Sequence, residues 1–196
     1  MGLINKLVNF LYSLYLKHNI EKLFGYDGYE KSVMKIDGST VFVYTVDLDA
    51  LLKWYGTKKE TSAIGLEVMC TNCGYAYSST NVVVISKHIE SAARRVFMWH
   101  EIGHVINKHS MFKVGDLIRA MKAKEPQVVI NGEFEKIADK FAFEHTGIKI
   151  TPEYIVDMLK ETTLNYLQDP EAVKLAYTAE FRKNMLNILK SDERFR

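Results

Sequence analysis

The stretch that most constrains the fold runs from Ala92 to Lys108, which holds no proline and only one glycine and follows Ser91, a residue type that caps helix N-termini. It reads as a helix, with His100-Glu101-Ile102-Gly103-His104 in its middle. Residues four apart on a helix differ by about 40° around the axis, so His100 and His104 project from one face, one turn apart. Two imidazoles need this spacing to share a Zn²⁺ ion. Glu101 falls about 100° round, beside such an ion rather than on it, where its carboxylate can take a proton from a metal-bound water. Bound zinc lowers the pKa of that water to about 7 and polarises a carbonyl for attack. Gly103 costs roughly 1 kcal/mol against Ala in a helix interior, a sign that a neighbouring element comes close; a strand over the site is the expectation. Taken alone, the five residues also fit two core histidines beside a surface Glu.

A third ligand decides between these readings, because three protein ligands leave one coordination position open for water. The extended pattern in which a third His follows six residues after the second would need a His at position 110, which is Ser110. His109 misses by one residue, and Asn107 stands where that pattern has its helix-breaking glycine. The other route is a Glu on a later helix, and Glu135-Lys-Ile-Ala-Asp139 supplies one. Glu135 and Asp139 lie one turn apart, so Glu135 can complete a His₂Glu set while Asp139 accepts a hydrogen bond from the non-ligating nitrogen of one histidine. Glu133 and Glu144 are alternatives on the same helix. Glu133 is about 200° from Glu135 and cannot share its face, and Glu144 lacks an acidic partner one turn on. His145, at the helix end, reads as a partner of the helix dipole.

Composition narrows the remaining classes. The chain has 196 residues, 26 basic and 24 acidic, a net charge of +2, 47% hydrophobic and 12% aromatic residues, and two cysteines. That fits one domain with its own core rather than disorder or a disulfide framework. No dense basic block offers a phosphate-binding surface. The C-terminal cations Lys149, Lys160, Lys174, Arg182, Lys183, Lys190, Arg194 and Arg196 alternate with Glu153, Glu161, Glu171, Glu180 and Glu193, as on solvated helix faces. Met1 to His18 is interrupted by Asn5, Lys6, Asn9 and Ser13 and falls short of a spanning helix; Leu3, Leu7, Leu11 and Leu14 predict an amphipathic helix packed on the body of the protein. A cytoplasmic location, with no membrane span, is the expectation.

After that helix, Gly25, Asp27 and Gly28 mark a turn, and Asp37-Gly38 precede the strand Thr40-Val-Phe-Val-Tyr-Thr-Val46. A short helix from Asp47 to Tyr55 and a weak strand between Ile64 and Cys73 follow. Tyr75 and Tyr77, the turn Ser78-Ser-Thr-Asn81, and Val82-Val-Val-Ile85 read as a hairpin. Beyond the His100 helix, further helices are expected over Val114 to Lys124, from Asn131-Gly132 to His145 with Gly147 at the C′ position, from Thr151-Pro152-Glu153, and from Asp169-Pro170-Glu171. Strands segregated from helices predict an α+β fold with a small antiparallel sheet and several helices. The single domain spans 1–196, with a core at about 64–147, an N-terminal extension 1–63 and C-terminal helices 151–190.

The segment Arg94-Arg-Val-Phe-Met-Trp-His-Glu-Ile-Gly-His104, followed by Glu135-Lys-Ile-Ala-Asp-Lys-Phe-Ala142, resembles the ImmA/IrrE family of zinc metallopeptidases, and Gly74 to Ile85 is similar to that family's edge hairpin. The likeness covers roughly Gly74 to Ala142, about a third of the chain. It implies a thermolysin-like zincin domain binding one zinc through His100, His104 and Glu135, with Glu101 as general base. It also implies a protein substrate inside the cell, a DNA-binding repressor in characterised members. The chain departs from the family at Ile137, where a second Glu is common, and at Phe143-Glu-His-Thr146, which replaces an apolar run ending in Pro. No N-terminal helix-turn-helix is legible.

The expectation is therefore a zinc-dependent endopeptidase of the gluzincin type, its rival a catalytically silent zinc-binding module that acts by protein contact. Zincins bind an extended substrate along an edge strand, for which Val82 to Ile85 or Tyr75 to Tyr77 are the candidates. Tyr75 and Tyr77 are candidates for stabilising the oxyanion, or are packing residues. Cys70-Thr-Asn-Cys73 reads as ordinary thiols, a redox or metal-sensing switch, or half of an intermolecular metal site. Oligomeric state is not legible.

Overall fold

In the computed structural model, which describes residues 14, 29–47, 74–77, 81–109 and 132–196, Asp37 and Gly38 adopt φ of +47° and +76°. Two consecutive positive values make the tight turn that matches strand twist, and they join β1 (Tyr29–Ile36) to β2 (Ser39–Val46) in an antiparallel hairpin, with Ile36 opposite Ser39 and Tyr29 opposite Val46. β1 was not legible as a strand. Glu30, Lys31, Ser32, Val33 and Lys35 are exposed, and a strand with so little buried surface, at the edge of the described sheet, lacks the apolar alternation that identifies one.

β3 (Gly74–Tyr77) and β4 (Val82–Ser86) form the expected second hairpin, with Tyr77 opposite Val82. The sheet order is β1-β2-β4-β3, and β2 pairs with β4 in parallel, from Phe42 opposite Val82 to Val46 opposite Ser86. The sheet is thus mixed rather than antiparallel. Val82-Val-Val-Ile85 is buried throughout, as suits an interior strand covered on both faces. Having partners on both sides, β4 cannot serve as a substrate-binding edge; of the two candidates, β3 lies at an edge of the described sheet.

α1 (Ser91–Ile106) lies against the sheet, burying Ala93, Val96, Phe97, Ile102 and Val105 with Val41, Val43, Val83 and Ile85 of the strands. Its N-cap is Glu90 rather than Ser91: the Glu90 carboxylate accepts from the N–H groups of Ala92 and Ala93 at 2.9 and 3.1 Å, and the Ser91 hydroxyl donates to it at 2.9 Å. α2 (Gly132–Thr146) ends as expected at Gly147, with φ +71°. α3 (Pro152–Leu167) is capped by Thr151, whose hydroxyl accepts from Tyr154 N–H at 3.1 Å. α4 (Pro170–Ala176) is capped by Asp169, α5 (Ala179–Ser191) by Thr178, and the 3-10 turn Glu193–Phe195 by Asp192.

The segregated α+β class therefore holds. No helix among the described residues is long and apolar enough to cross a membrane. The rest of the expected Leu-rich N-terminal helix, the expected turn at Gly25 to Gly28, the expected helix after Asp47, the expected strand before Cys73, both cysteines and the expected Val114 helix lie outside the described residues; Leu14 is helical and 49% exposed.

Candidate metal centre

α1 and α2 pack closely beside His100-Glu101-Ile102-Gly103-His104 because Gly103 lets them. A Cβ at this position would lie 3.1 Å from both the Ala138 Cα and the Phe141 Cβ. The neighbour signalled by that glycine is a helix, not a strand. This approach brings Glu135, one turn before Asp139 on α2, over the two histidines of α1.

The donor atoms converge. His100 Nε2 and His104 Nε2 are 3.1 Å apart, and Glu135 places Oε2 at 3.2 Å from the first and Oε1 at 3.3 Å from the second. A tetrahedral ion with bonds of about 2.0–2.1 Å sets its ligands roughly 3.3–3.4 Å apart, close to these separations. The buried imidazoles and the half-buried carboxylate form a group that can hold a metal ion, and two nitrogens with one carboxylate oxygen suit zinc chemically.

Each histidine is oriented from behind. His100 Nδ1 is 2.9 Å from Asp139 Oδ1, the carboxylate–histidine contact anticipated from the sequence. With the proton on Nδ1, Nε2 keeps its lone pair for a metal. His104 Nδ1 is 3.0 Å from His109 Nδ1, and the His109 ring lies parallel to Phe134 at 4.4 Å between centroids. His109 was legible only as a failed third ligand. Its place behind His104 arises because Asn107 ends α1 and the chain turns back: His109 N–H donates to His104 carbonyl at 2.9 Å. Burial, and then the neighbouring His104, push His109 down to about 4, so it is neutral and able to accept.

The carboxylates differ in state. Burial raises the Glu101 carboxyl above its ordinary value, against the pull of His100 and His104. Glu135 and Asp139 go the other way: burial opposes their ionisation, but hydrogen bonds with His100 outweigh it, reinforced by His104 at Glu135 and Arg194 at Asp139. In the absence of metal His100 is lifted to about 9, burial being outweighed by Asp139 and Glu135. Zinc entering the site would therefore displace a proton.

One residue of the candidate centre departs from the sequence expectation. Arg194, placed among solvated C-terminal charges by its sequence neighbours, is half-buried, its side chain 14% exposed. Its Nε and Nη2 donate to Asp139 Oδ2 and Oδ1 at 2.8 and 2.6 Å, and Nη1 is 3.3 Å from Glu135 Oε2. It lies 55 residues from Asp139 along the chain, and no local pattern reports so distant a pairing. The alternatives fall away: Glu133 pairs with Lys136 at 3.0 Å at the surface, and Glu144 is exposed beside Lys140. His145 accepts its place at the end of α2, with Nδ1 2.8 Å from Phe141 carbonyl and its ring stacked on Trp99.

Compared with protein-family models, curated proteins and solved structures, the chain gives no significant match.

Proposed function

We propose that this chain is a zinc-dependent endopeptidase of the gluzincin type, related to the ImmA/IrrE metallopeptidases and acting on a protein in the cytoplasm, with one zinc per chain. The observation that carries the reading is the convergence of His100 Nε2, His104 Nε2 and Glu135 within 4.8 Å, with a buried carboxyl, Glu101, next to the first ligand in the chain. A structural site needs no such group. His100, His104 and Glu135 would hold the ion, Asp139 and His109 fixing the two rings through Nδ1.

A bound zinc supplies an acidified water and a Lewis acid for the scissile carbonyl. Glu101 supplies the proton acceptor: burial brings its affinity for a proton closer to that of the group it must serve, and the same carboxyl can return the proton to the leaving amine. The backbone of β3, at the edge of the described sheet, offers hydrogen-bonding groups to an extended peptide. A DNA-binding repressor as substrate is part of the proposal and rests on the resemblance alone; a net charge of +2 gives this chain little electrostatic attraction to DNA itself.

The test compares cellular proteins after expression of wild type and of Glu101→Gln. A new protein terminus found only with the wild type, from two proteins that carry equal zinc, is the expected result. Equal biological potency of the two would instead favour the silent zinc-binding module.

A further inference from the structure

We propose that Arg194 is a positioning residue of the metal centre: from the 3-10 turn 193–195 its guanidinium holds the Asp139 and Glu135 carboxylates in the orientation that serves His100 and the ion. This rests on the metal reading of His100, His104 and Glu135.

Three observations carry it. The first is that the contact is bidentate. Nε and Nη2 meet the two oxygens of Asp139 at 2.8 and 2.6 Å, which fixes the plane of the carboxylate as well as its position. Asp139 Oδ1 is the atom that also meets His100 Nδ1, at 2.9 Å, so the orientation of Arg194 passes through one carboxylate to the ring of a ligand. The second is that the same guanidinium reaches a ligand directly. Nη1 lies 3.3 Å from Glu135 Oε2, the oxygen 3.2 Å from His100 Nε2. Asp139 and Glu135 repel one another as carboxylates, and the cation between them offsets that repulsion where little water does so.

The third is that the chain is built to put Arg194 there. Asp192 Oδ1 accepts from Arg194 N–H at 2.8 Å, which starts the turn. The turn sits on the first residue of α2: a Cβ on Gly132 would fall 2.8 Å from Glu193 Cβ and 3.3 Å from Arg194 N. Gly132 therefore makes room for the backbone that carries Arg194. A cation merely paired at the surface would have none of this support. Lysine at the position would keep the charge and lose the fork.

Wild type, Arg194→Lys and Arg194→Gln, each stripped of metal, would be titrated with Zn²⁺ against a chromophoric chelator and with Co²⁺ while its visible absorption is recorded. Far-UV circular dichroism in excess chelator checks folding. The expected result is zinc binding weakened roughly 10–100-fold in Arg194→Gln, an altered Co²⁺ spectrum, and partial recovery in Arg194→Lys. Wild-type affinity with an unchanged Co²⁺ spectrum in Arg194→Gln overturns the inference and leaves the metal reading standing. Absence of zinc binding by the wild type overturns both. If Arg194→Gln does not fold, Gly132→Ala decides, since it displaces the turn and leaves the arginine intact: weakened zinc binding supports the inference, and unchanged binding overturns it.

Discussion

Gly103 of α1 and Ala138 of α2 meet so closely that a methyl group on the glycine would stand 3.1 Å from the Ala138 Cα. That approach brings His100 and His104 on one helix into register with Glu135 on the other. Elsewhere in a helix, alanine for glycine is worth roughly 1 kcal/mol of stability. Here Gly103→Ala is expected to cost about 1–3 kcal/mol instead, because the added group meets backbone and Phe141 Cβ rather than open space. Urea unfolding of the metal-free protein checks this; a midpoint equal to or above wild type would contradict the packing account.

Zinc binding should appear as stability. A ligand bound only by the folded state adds about 2.7 kcal/mol at a free concentration of 100 times its dissociation constant. Wild type and Glu101→Gln are expected to lose thermal stability on chelation and regain it with Zn²⁺, whereas His104→Ala and Glu135→Ala should respond little to either. Metal analysis of protein purified without chelator, finding no zinc in the wild type, would remove the basis of the proposed function.

His109 gives a sharper test of the arrangement behind His104. Replacing it by Phe retains a ring to stack on Phe134 while deleting the nitrogen 3.0 Å from His104 Nδ1. Zinc affinity is expected to fall roughly 10-fold or more, with secondary structure unchanged. Unaltered affinity in His109→Phe would reduce His109 to a packing residue.

The cap at Glu90 predicts a pH dependence whose sign is set by its environment. The N–H groups of Ala92 and then Ala93 hold its carboxyl below the ordinary value of 4.5. A group lowered in the folded state stabilises it fully above its unfolded pKa and ceases to do so as the pH falls through the folded value. Glu90→Ala should therefore melt below wild type near pH 7, and the gap should shrink as the pH falls below 4.5. A gap that stays constant across that range would mean the carboxylate is not acting as the cap.

Much of the helical half was legible because its signals are local. Thr151-Pro152 and Asp169-Pro170 start helices, Gly147 ends one, and each involves residues within a turn of one another. The break between α4 and α5 at Tyr177 and Thr178 has no proline to mark it, although Thr178 is an N-cap of the same kind. β1 escaped because its exposed Glu30, Lys31 and Lys35 leave no apolar face to read.

The spacing of His100, Glu101 and His104, and of Glu135 and Asp139, was determined by the sequence alone, since helical periodicity places each set on its own helix without reference to anything distant. The tertiary structure decided what those helices face. It turned β4 parallel to β2, replaced the expected strand beside Gly103 with α2, put His109 behind His104, and drew Arg194 from a run of alternating surface charges onto Asp139 and Glu135. Strand direction and the pairing of one arginine among many depend on groups tens of residues apart. Their free energy exists only once the chain has closed those loops, and no window of neighbouring residues contains it.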